Sequence, residues 1–386
     1  MTEILKCKYS NKCGNCQLLN TEYKDTLEYK KNLVNNFLAK CKIKEKVKEV
    51  VPSDKKFSYR NKMIIGFKYI NGKVVSGFYE ENSHKIVDID ECLMHTPLQN
   101  KIAKGIKQII IDLKIKPYDE DRKLGLIRYV LIREAFFKEE VLITVVTSTD
   151  IFPARSEFVK RVRELSPNVK TIVQNINSRK TSIVLGDKER VLYGNGTISD
   201  TMCGLTFNIT SKSFYQINPH QTMKLYQKVK ELAKLEKKEI ILDAYSGVGT
   251  IGMILSDQVK RVISVENNKQ AVNIAFKNAT YNKINNINLI CDDATNFIVN
   301  LAKENAKIDT IVMDPPRSGS TIQFLNSVLK LKPKKIIYVS CNPETLARDL
   351  ITLTKSYNIE HMVSFDMFCW TNHLETVVLM KEKNKK

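Results

Sequence analysis

The sequence predicts an α/β fold: a parallel sheet covered by helices on both faces in the C-terminal half, preceded by a strand-rich α+β domain. Three observations carry this expectation. From about residue 222 onward, short β-branched runs alternate with helical segments, the order that builds a parallel sheet with helices on both faces. Before that point the β-branched runs follow one another, separated by turn residues such as NGK. The composition, 43% hydrophobic and 27% charged over 386 residues, is that of a globular chain with material for two or three domains.

In chain order, apolar residues at helical spacing mark residues 22–40 as a helix. KMIIGFKYI, KVVSGFYE, LIRYVLIREAFF, VLITVVTS and TSIVLG then read as strands. A boundary near residues 205–212 separates an N-terminal domain, 1–205, from a C-terminal domain, 206–386. The second domain opens with a helix over 222–235 and continues as strand EIILDAYS, helix 250–257, strand RVISVE and helix 269–281. Strand INLICDD, helix 294–304, strand IDTIVMD, helix 321–330, strand KKIIYVS and helix 343–355 complete the series.

Lys and Arg total 62 against 42 Asp and Glu, a net charge of +20 with an excess in both halves. Such a field attracts polyanions, so nucleic acid leads as the partner class; solvated lysine-rich helix faces are the alternative. No run of 18 apolar residues occurs, and the N-terminus lacks the apolar core of a signal peptide. The expectation is a cytoplasmic protein with no membrane partner and no obligate protein partner. Its nine cysteines are then poor candidates for disulfides, and their clustering near the N-terminus points to metal or cluster ligation.

The segment ILDAYSGVGTIG follows a strand and opens a helix, so Gly247 and Gly249 let the backbone turn sharply and approach a ligand. Gly252 completes a dinucleotide-type spacing, yet Asp243 and the downstream motifs suit S-adenosylmethionine better than NAD. Glu266, at the end of the next strand, is placed to accept hydrogen bonds from ribose hydroxyls. Further strands end in Asp292 and Asp293 and in DPPRSG, where Asp314 and Arg317 flank two prolines at the ligand edge of the sheet. The strand KKIIYVS delivers Cys341 to a strand-to-helix turn, where backbone N–H groups favour a thiolate; a buried packing cysteine is the alternative.

DAYSGVGT, DPPRSG, YVSCNPETLARD and the C-terminal DMF…TNHLE, in that order, resemble the S-adenosylmethionine-dependent RNA uracil-C5 methyltransferases across essentially the whole chain. The resemblance implies a Rossmann-like methyltransferase domain with a C-terminal catalytic loop, preceded by an RNA-binding domain. It implies Cys341 as nucleophile, Glu375 as base, and cofactor contacts at Gln216, Tyr245, Gly247, Thr250, Glu266, Asp293 and Asp314. FYQINP resembles the family's F-x-Q-x-N stretch, which sets Phe214 and Gln216 beside the target base. Where the family has Pro and a polar or imidazole side chain after DMF, this chain has Cys369 and Trp370.

Cys7, Cys13, Cys16 and the distant Cys92 resemble the ligand set of the family's iron-sulfur branch, which implies a [4Fe-4S] cluster; a structural zinc is the alternative. Arg60, Arg128 and Arg133 resemble basic positions of the family and either meet RNA phosphates or solvate a sheet face. The resemblance implies 5-methyluridine formation in RNA, with 23S rRNA favoured over tRNA. Its rivals are an amino-group methyltransferase, which needs no cysteine, and a non-catalytic iron-sulfur RNA-binding protein.

Overall fold

Two sheets divide the chain, but not at the boundary the sequence suggests. The computed structural model describes residues 7–81, 83, 85–179 and 183–383. It begins with α1 (Tyr23–Lys40) and the short β1 (Val50–Val51), followed by β2 (Lys62–Ile70), β3 (Lys73–Tyr79), β4 (Ile86–Asp88), α2 (Pro97–Asp112), β5 (Ile127–Ala135), β6 (Glu140–Thr147), α3 (Arg155–Glu164), β7 (Val169–Ile176) and β8 (Lys188–Tyr193). The hairpin β9 (Ile198–Met202) and β10 (Leu205–Ile209) leads to α4 (Pro219–Ala233). Then come β11 (Ile240–Ala244), α5 (Thr250–Leu255), β12 (Arg261–Glu266), α6 (Lys269–Tyr281), β13 (Ile287–Cys291), α7 (Ala294–Lys303), β14 (Thr310–Met313), α8 (Ile322–Leu331), β15 (Lys335–Ser340), α9 (Pro343–Leu353), β16 (Tyr357–Phe365) and β17 (Glu375–Glu382).

The N-terminal sheet has the order β4-β3-β2-β5-β6-β7-β8 and is mostly antiparallel, with β6 and β7 parallel. Alternation along β2 sends Met63, Ile65 and Phe67 toward α2 and α3, where Ile102, Ile106, Phe158 and Val162 close a core. Helix α2 was not apparent from the strand-rich pattern, although Thr96 and Gln99 form a capping box at its start and Pro97 occupies its first turn. TSIVLG is not a strand in its described part, 183–186, and residues 180–182 lie outside the described set. The edge strand β8 follows it instead.

The second sheet has the order β1-β16-β17-β15-β14-β11-β12-β13. Strands β11 to β15 are parallel, as the alternating pattern requires, and β17 inserts antiparallel beside β15. Val34 and Leu38 of α1 are buried in the core under β14, β15 and α9, and β1 pairs parallel with β16 through Val50↔Ser364 and Val51↔Phe365. Residues 23–51 therefore complete the C-terminal sheet, which corrects the division at 205/206. That division also cuts β10, whose Phe207 and Ile209 share a core with Ala135 and Leu142 of the first sheet. On its other side β10 is held to α6, where Asn278 Oδ1 accepts from Asn208 N at 2.7 Å and Asn282 Oδ1 from Thr206 N at 2.9 Å.

Candidate active site

Register alone brings the two proposed chemical groups together. Strands β15 and β17 are antiparallel with Ser340 opposite Thr376, so Cys341, the residue after β15, stands beside Glu375, the first residue of β17, at the same end of the sheet. That end carries the carboxyl termini of β11, β12 and β14, where open α/β sheets bind ligands. Glu375 is 2% exposed, and its Oε2 has no hydrogen-bond partner among the described residues. Burial, then the neighbouring Asp314 carboxylate, hold its carboxyl well above the usual range, with Arg317 opposing. Asp314 is raised for the same first reason, followed by Asp243.

The Cys341 thiol departs from the thiolate-favouring site its position suggests. Burial, then Glu375 and Asp314, push it up to about 12, and Arg317 alone among nearby charged side chains pulls it down. Arg317 itself is exposed, and its backbone carbonyl is fixed by Asn342 Nδ2 at 3.0 Å and Thr345 Oγ1 at 3.2 Å. Asn342 also caps α9, accepting from Glu344 N at 3.0 Å. The same side chain thus ties the turn after β15 to the DPPR loop.

Beside these groups lies a cradle that fits a nucleoside. Tyr245, Gly247 and Gly249 all have positive φ, and a Cβ on Gly247 would meet nothing within 4 Å, so the loop leaves open space above it. Gly252 has the opposite role: its Cβ would meet Asp243 Oδ2 at 2.6 Å and Ser264 Oγ at 2.7 Å, so α5 packs close against β11 and β12. Asp243, raised to about 7 by burial, accepts from Gly252 N at 3.0 Å and serves this packing. Half-buried Glu266 receives Gly247 N at 3.0 Å through one oxygen and Asn268 N at 2.8 Å through the other. Tyr245 hydroxyl lies 2.9 Å from Ser320 Oγ, Thr250 Oγ1 lies 3.4 Å from Tyr226 hydroxyl, and exposed Asp293 caps α7.

A third wall comes from residues 213–218. Phe214 is 67% exposed, while Gln216 is buried. Asn61 clamps this backbone from β2's approach, its N–H donating to Ile217 O at 2.8 Å and its Nδ2 to Gln216 O at 3.0 Å. Arg133 is 2% exposed and donates to Ser213 O at 2.9 Å, with Nε and Nη1 unpartnered among the described residues. Arg133 is therefore not an open phosphate contact but a buried support under the segment that carries Phe214. Arg128 is likewise buried. Arg60 is half-buried and faces the thiols of Cys16 and Cys92. Asn218, which sequence reasoning passed over, caps α4 and reaches Met367 O at 3.2 Å, linking this wall to the loop before Glu375.

Cys7, Cys13, Cys16 and Cys92 are all half-buried. Cys7, Cys16 and Cys92 pack against Leu19, Tyr59, Met94 and Trp370. Burial is the first cause that raises Cys16 to about 12 and Cys92 to about 11, and the neighbouring thiols add to it. Among the described residues, no three His, Cys, Asp or Glu side chains form a group that could hold a metal ion. The thiols are soft donors, the ligand type that both an iron-sulfur cluster and a zinc ion take, and neither geometry is formed among the described residues. Cys41 and Cys203 pack, partly buried, against the cores on the two faces of the second sheet, whereas Cys291 is exposed. No helix among the described residues is long and apolar enough to cross a membrane.

Comparison with known proteins gives the family. The family model described as tRNA (Uracil-5-)-methyltransferase matches residues 22–383. An uncharacterized RNA methyltransferase of Caldanaerobacter subterraneus subsp. tengcongensis is 38% identical, with 97% of this chain and 83% of the relative covered. One from Halalkalibacterium halodurans is 36% identical over 98% and 83%. The solved tRNA (uracil-54, C5)-methyltransferase of Pyrococcus abyssi, in complex with S-adenosyl-L-homocysteine, superposes with a TM-score of 0.79 at 30% identity, covering 95% of this chain and 86% of that one. With the family model spanning both sheets and the site between them, the chain is an S-adenosylmethionine-dependent RNA methyltransferase and belongs to the tRNA (uracil-5-)-methyltransferase family.

Proposed function

We propose that this enzyme forms 5-methyluridine through a covalent adduct between Cys341 and the target uracil. The observation that carries the reading is the placement of Cys341 beside Glu375, whose Oε2 has no partner among the described residues, at the same sheet end as the nucleoside cradle. Uracil C5 is too weak a nucleophile to take a methyl group unaided. Addition of the Cys341 thiolate to C6 moves electron density to C5, and loss of the C5 proton to Glu375 afterwards lets the thiolate leave. S-adenosylmethionine supplies the methyl group as a sulfonium electrophile; Gly247, Glu266, Tyr245, Thr250, Asp293, Asp314 and Gln216 are the residues proposed to hold it. Exposed Phe214 offers a stacking face for a base turned out of its helix.

The proposed RNA is 23S rRNA, on the resemblance of the cysteine set to cluster-bearing family members, and the proposed compartment is the cytoplasm. A tRNA substrate is the second reading, favoured by the likeness to the tRNA (uracil-54, C5)-methyltransferase of Pyrococcus abyssi. Mass spectrometry of nuclease fragments from a deletion strain decides between them: loss of 5-methyluridine from 23S rRNA supports the first, loss from tRNA alone the second, and loss from neither overturns the activity.

Cys7, Cys13, Cys16 and Cys92 would hold a [4Fe-4S] cluster by four thiolates, beside Arg60 and the Trp370 loop. A cluster closed by four cysteines has no open iron, so its contribution is to tie these segments together. Anaerobically purified protein should carry about four irons per chain; stoichiometric zinc without iron would overturn the assignment.

A further inference from the structure

The N-terminal sheet holds a cleft remote from Cys341 that the methyl-transfer chemistry does not use. It opens on the face of β2, β3 and β5 opposite α2 and α3, and encloses about 1020 Å³. Its walls are aromatic: Tyr79, Tyr118 and Tyr129 all line it, with Tyr79 hydroxyl 3.0 Å from Tyr129 hydroxyl. Gly66 forms part of the floor. A Cβ there would stand 3.6 Å from Tyr79 hydroxyl and 3.7 Å from the Tyr129 ring, within the hollow the rings enclose.

Arg128 crosses this site. It is 4% exposed, its guanidinium lies 5.0 Å from the Tyr118 ring centroid and 6.0 Å from that of Tyr129, and its Nε has no partner among the described residues. Its other nitrogens donate to Asn177 O, Arg179 O and Glu120 Oε1, which fixes the plane of the group. Glu120 and Asp121 stand at the rim with Glu80 and Glu81. Lys123 and Arg179 line the cleft too, so the carboxylates act as local hydrogen-bond acceptors, while flat rings and a fixed guanidinium plane accept a flat heterocycle. The chemistry thus selects a base edge rich in donors, and a chain carrying +20 elsewhere supplies the backbone attraction.

The cleft is also joined to the active site through the protein. Gly14 and Asn15 line it, adjacent Cys13 pairs with Glu80, and Leu18 N donates to Trp370 O at 3.0 Å, in the loop before Glu375. The geometry points to a second base-binding site, in which an unpaired guanine of the substrate RNA, away from the target uridine, stacks against Tyr79 and Tyr129 and presents its donor edge to Glu120 and Asp121. This rests on RNA as substrate and adds a contact that would choose among RNAs.

The test compares hexauridylate with the same hexamer carrying one guanine, by fluorescence anisotropy in the presence of S-adenosylhomocysteine. Uridine binding at the active site is common to both probes. The guanine hexamer should bind the native chain and Tyr79→Phe about tenfold more tightly, the scale of one stacked base. Tyr79→Ala should erase the difference while S-adenosylhomocysteine affinity stays unchanged. Glu120→Gln, at an exposed rim position, should reduce the preference without touching the rings. No guanine preference in the native chain, or an undiminished one in both Tyr79→Ala and Glu120→Gln, overturns the proposal. Methylation of cellular RNA by the same native preparation is read in parallel, so loss of the cleft preference alone leaves the uracil-C5 activity standing.

Discussion

Lys30 and Asp366 form an ion pair at 2.5 Å with both side chains fully buried. Lys30 Nζ also donates to Phe368 O at 3.0 Å, and Tyr23 hydroxyl donates to Asp366 Oδ2 at 2.7 Å. Helix α1 thereby grips the loop that runs from β16 to Glu375. Lys30→Met leaves a buried carboxylate without its partner and should destabilise the protein by about 3–5 kcal/mol. Chemical denaturation measures this, and the double variant Lys30→Met/Asp366→Leu should recover much of the loss. An unchanged midpoint in the single variant would show that the pair does not anchor the loop.

Cys341 and Glu375 act at opposite ends of the proposed cycle, so their variants should fail differently. Cys341→Ala forms no adduct and no 5-methyluridine. Glu375→Gln keeps the shape but cannot take the C5 proton, so methylated RNA should remain bonded to Cys341. Denaturing electrophoresis with labelled S-adenosylmethionine reads both. Normal turnover by Glu375→Gln, or an adduct on Cys341→Ala, would reverse the assignment.

Thiol reactivity tests the electrostatics independently of turnover. With the Cys341 thiol at about 12, the free enzyme holds a thiolate fraction on the order of 10⁻⁴ at pH 8, and alkylation should quicken about tenfold per pH unit. Above the raised titration range of Glu375, Glu375→Gln removes a negative neighbour, lowers the thiol and should speed alkylation. Arg317→Ala removes the opposing positive charge and should slow it. Peptide mass spectrometry of iodoacetamide-labelled protein gives the rates; a Glu375→Gln rate below the native one contradicts the proposed contact.

RNA affinity should fall steeply with salt, with a log–log slope of several units, because the +20 charge is spread over both halves. A titration insensitive to salt would assign the charge to surface solvation instead. Arg133→Met should weaken RNA binding through the displaced Phe214 segment while leaving this slope nearly unchanged, since the buried guanidinium releases no counterion.

Periodicity located the βα series closely: the run RVISVE is β12 from end to end, and the helix expected over 269–281 is α6. Such elements are legible because each half-buries its own alternating or helical stripe. Partnership across the chain is not written locally. Nothing in YNIEHMVSF distinguishes a strand that will pair with residues 50–51 from one that pairs only with its neighbour, and Val50–Val51 is too short to show a period. Motif order brought Cys341 and Glu375 to notice, but their mutual electrostatics depend on burial beside Asp314 and on register, which the turn at Cys341 alone does not reveal. Arg133 shows the same limit: its charge is visible in the sequence, while its enclosure by Ser213 and β2 is a tertiary fact.

The parallel pairing of Val50 with Ser364 sets an order of events during synthesis. The ribosome releases α1 and β1 before the β2–β8 sheet, yet the strand that receives β1 and the helix that covers Val34 and Leu38 follow only after that sheet and most of the second. The intervening β2–β8 sheet is built mostly from neighbouring strands and can close on its own contacts, whereas its N-terminal flank must wait with an apolar stripe uncovered. Nascent chains arrested before residue 335 should therefore show a protease-resistant 60–195 region with α1 still cleavable, and α1 should become protected only when the final strands emerge.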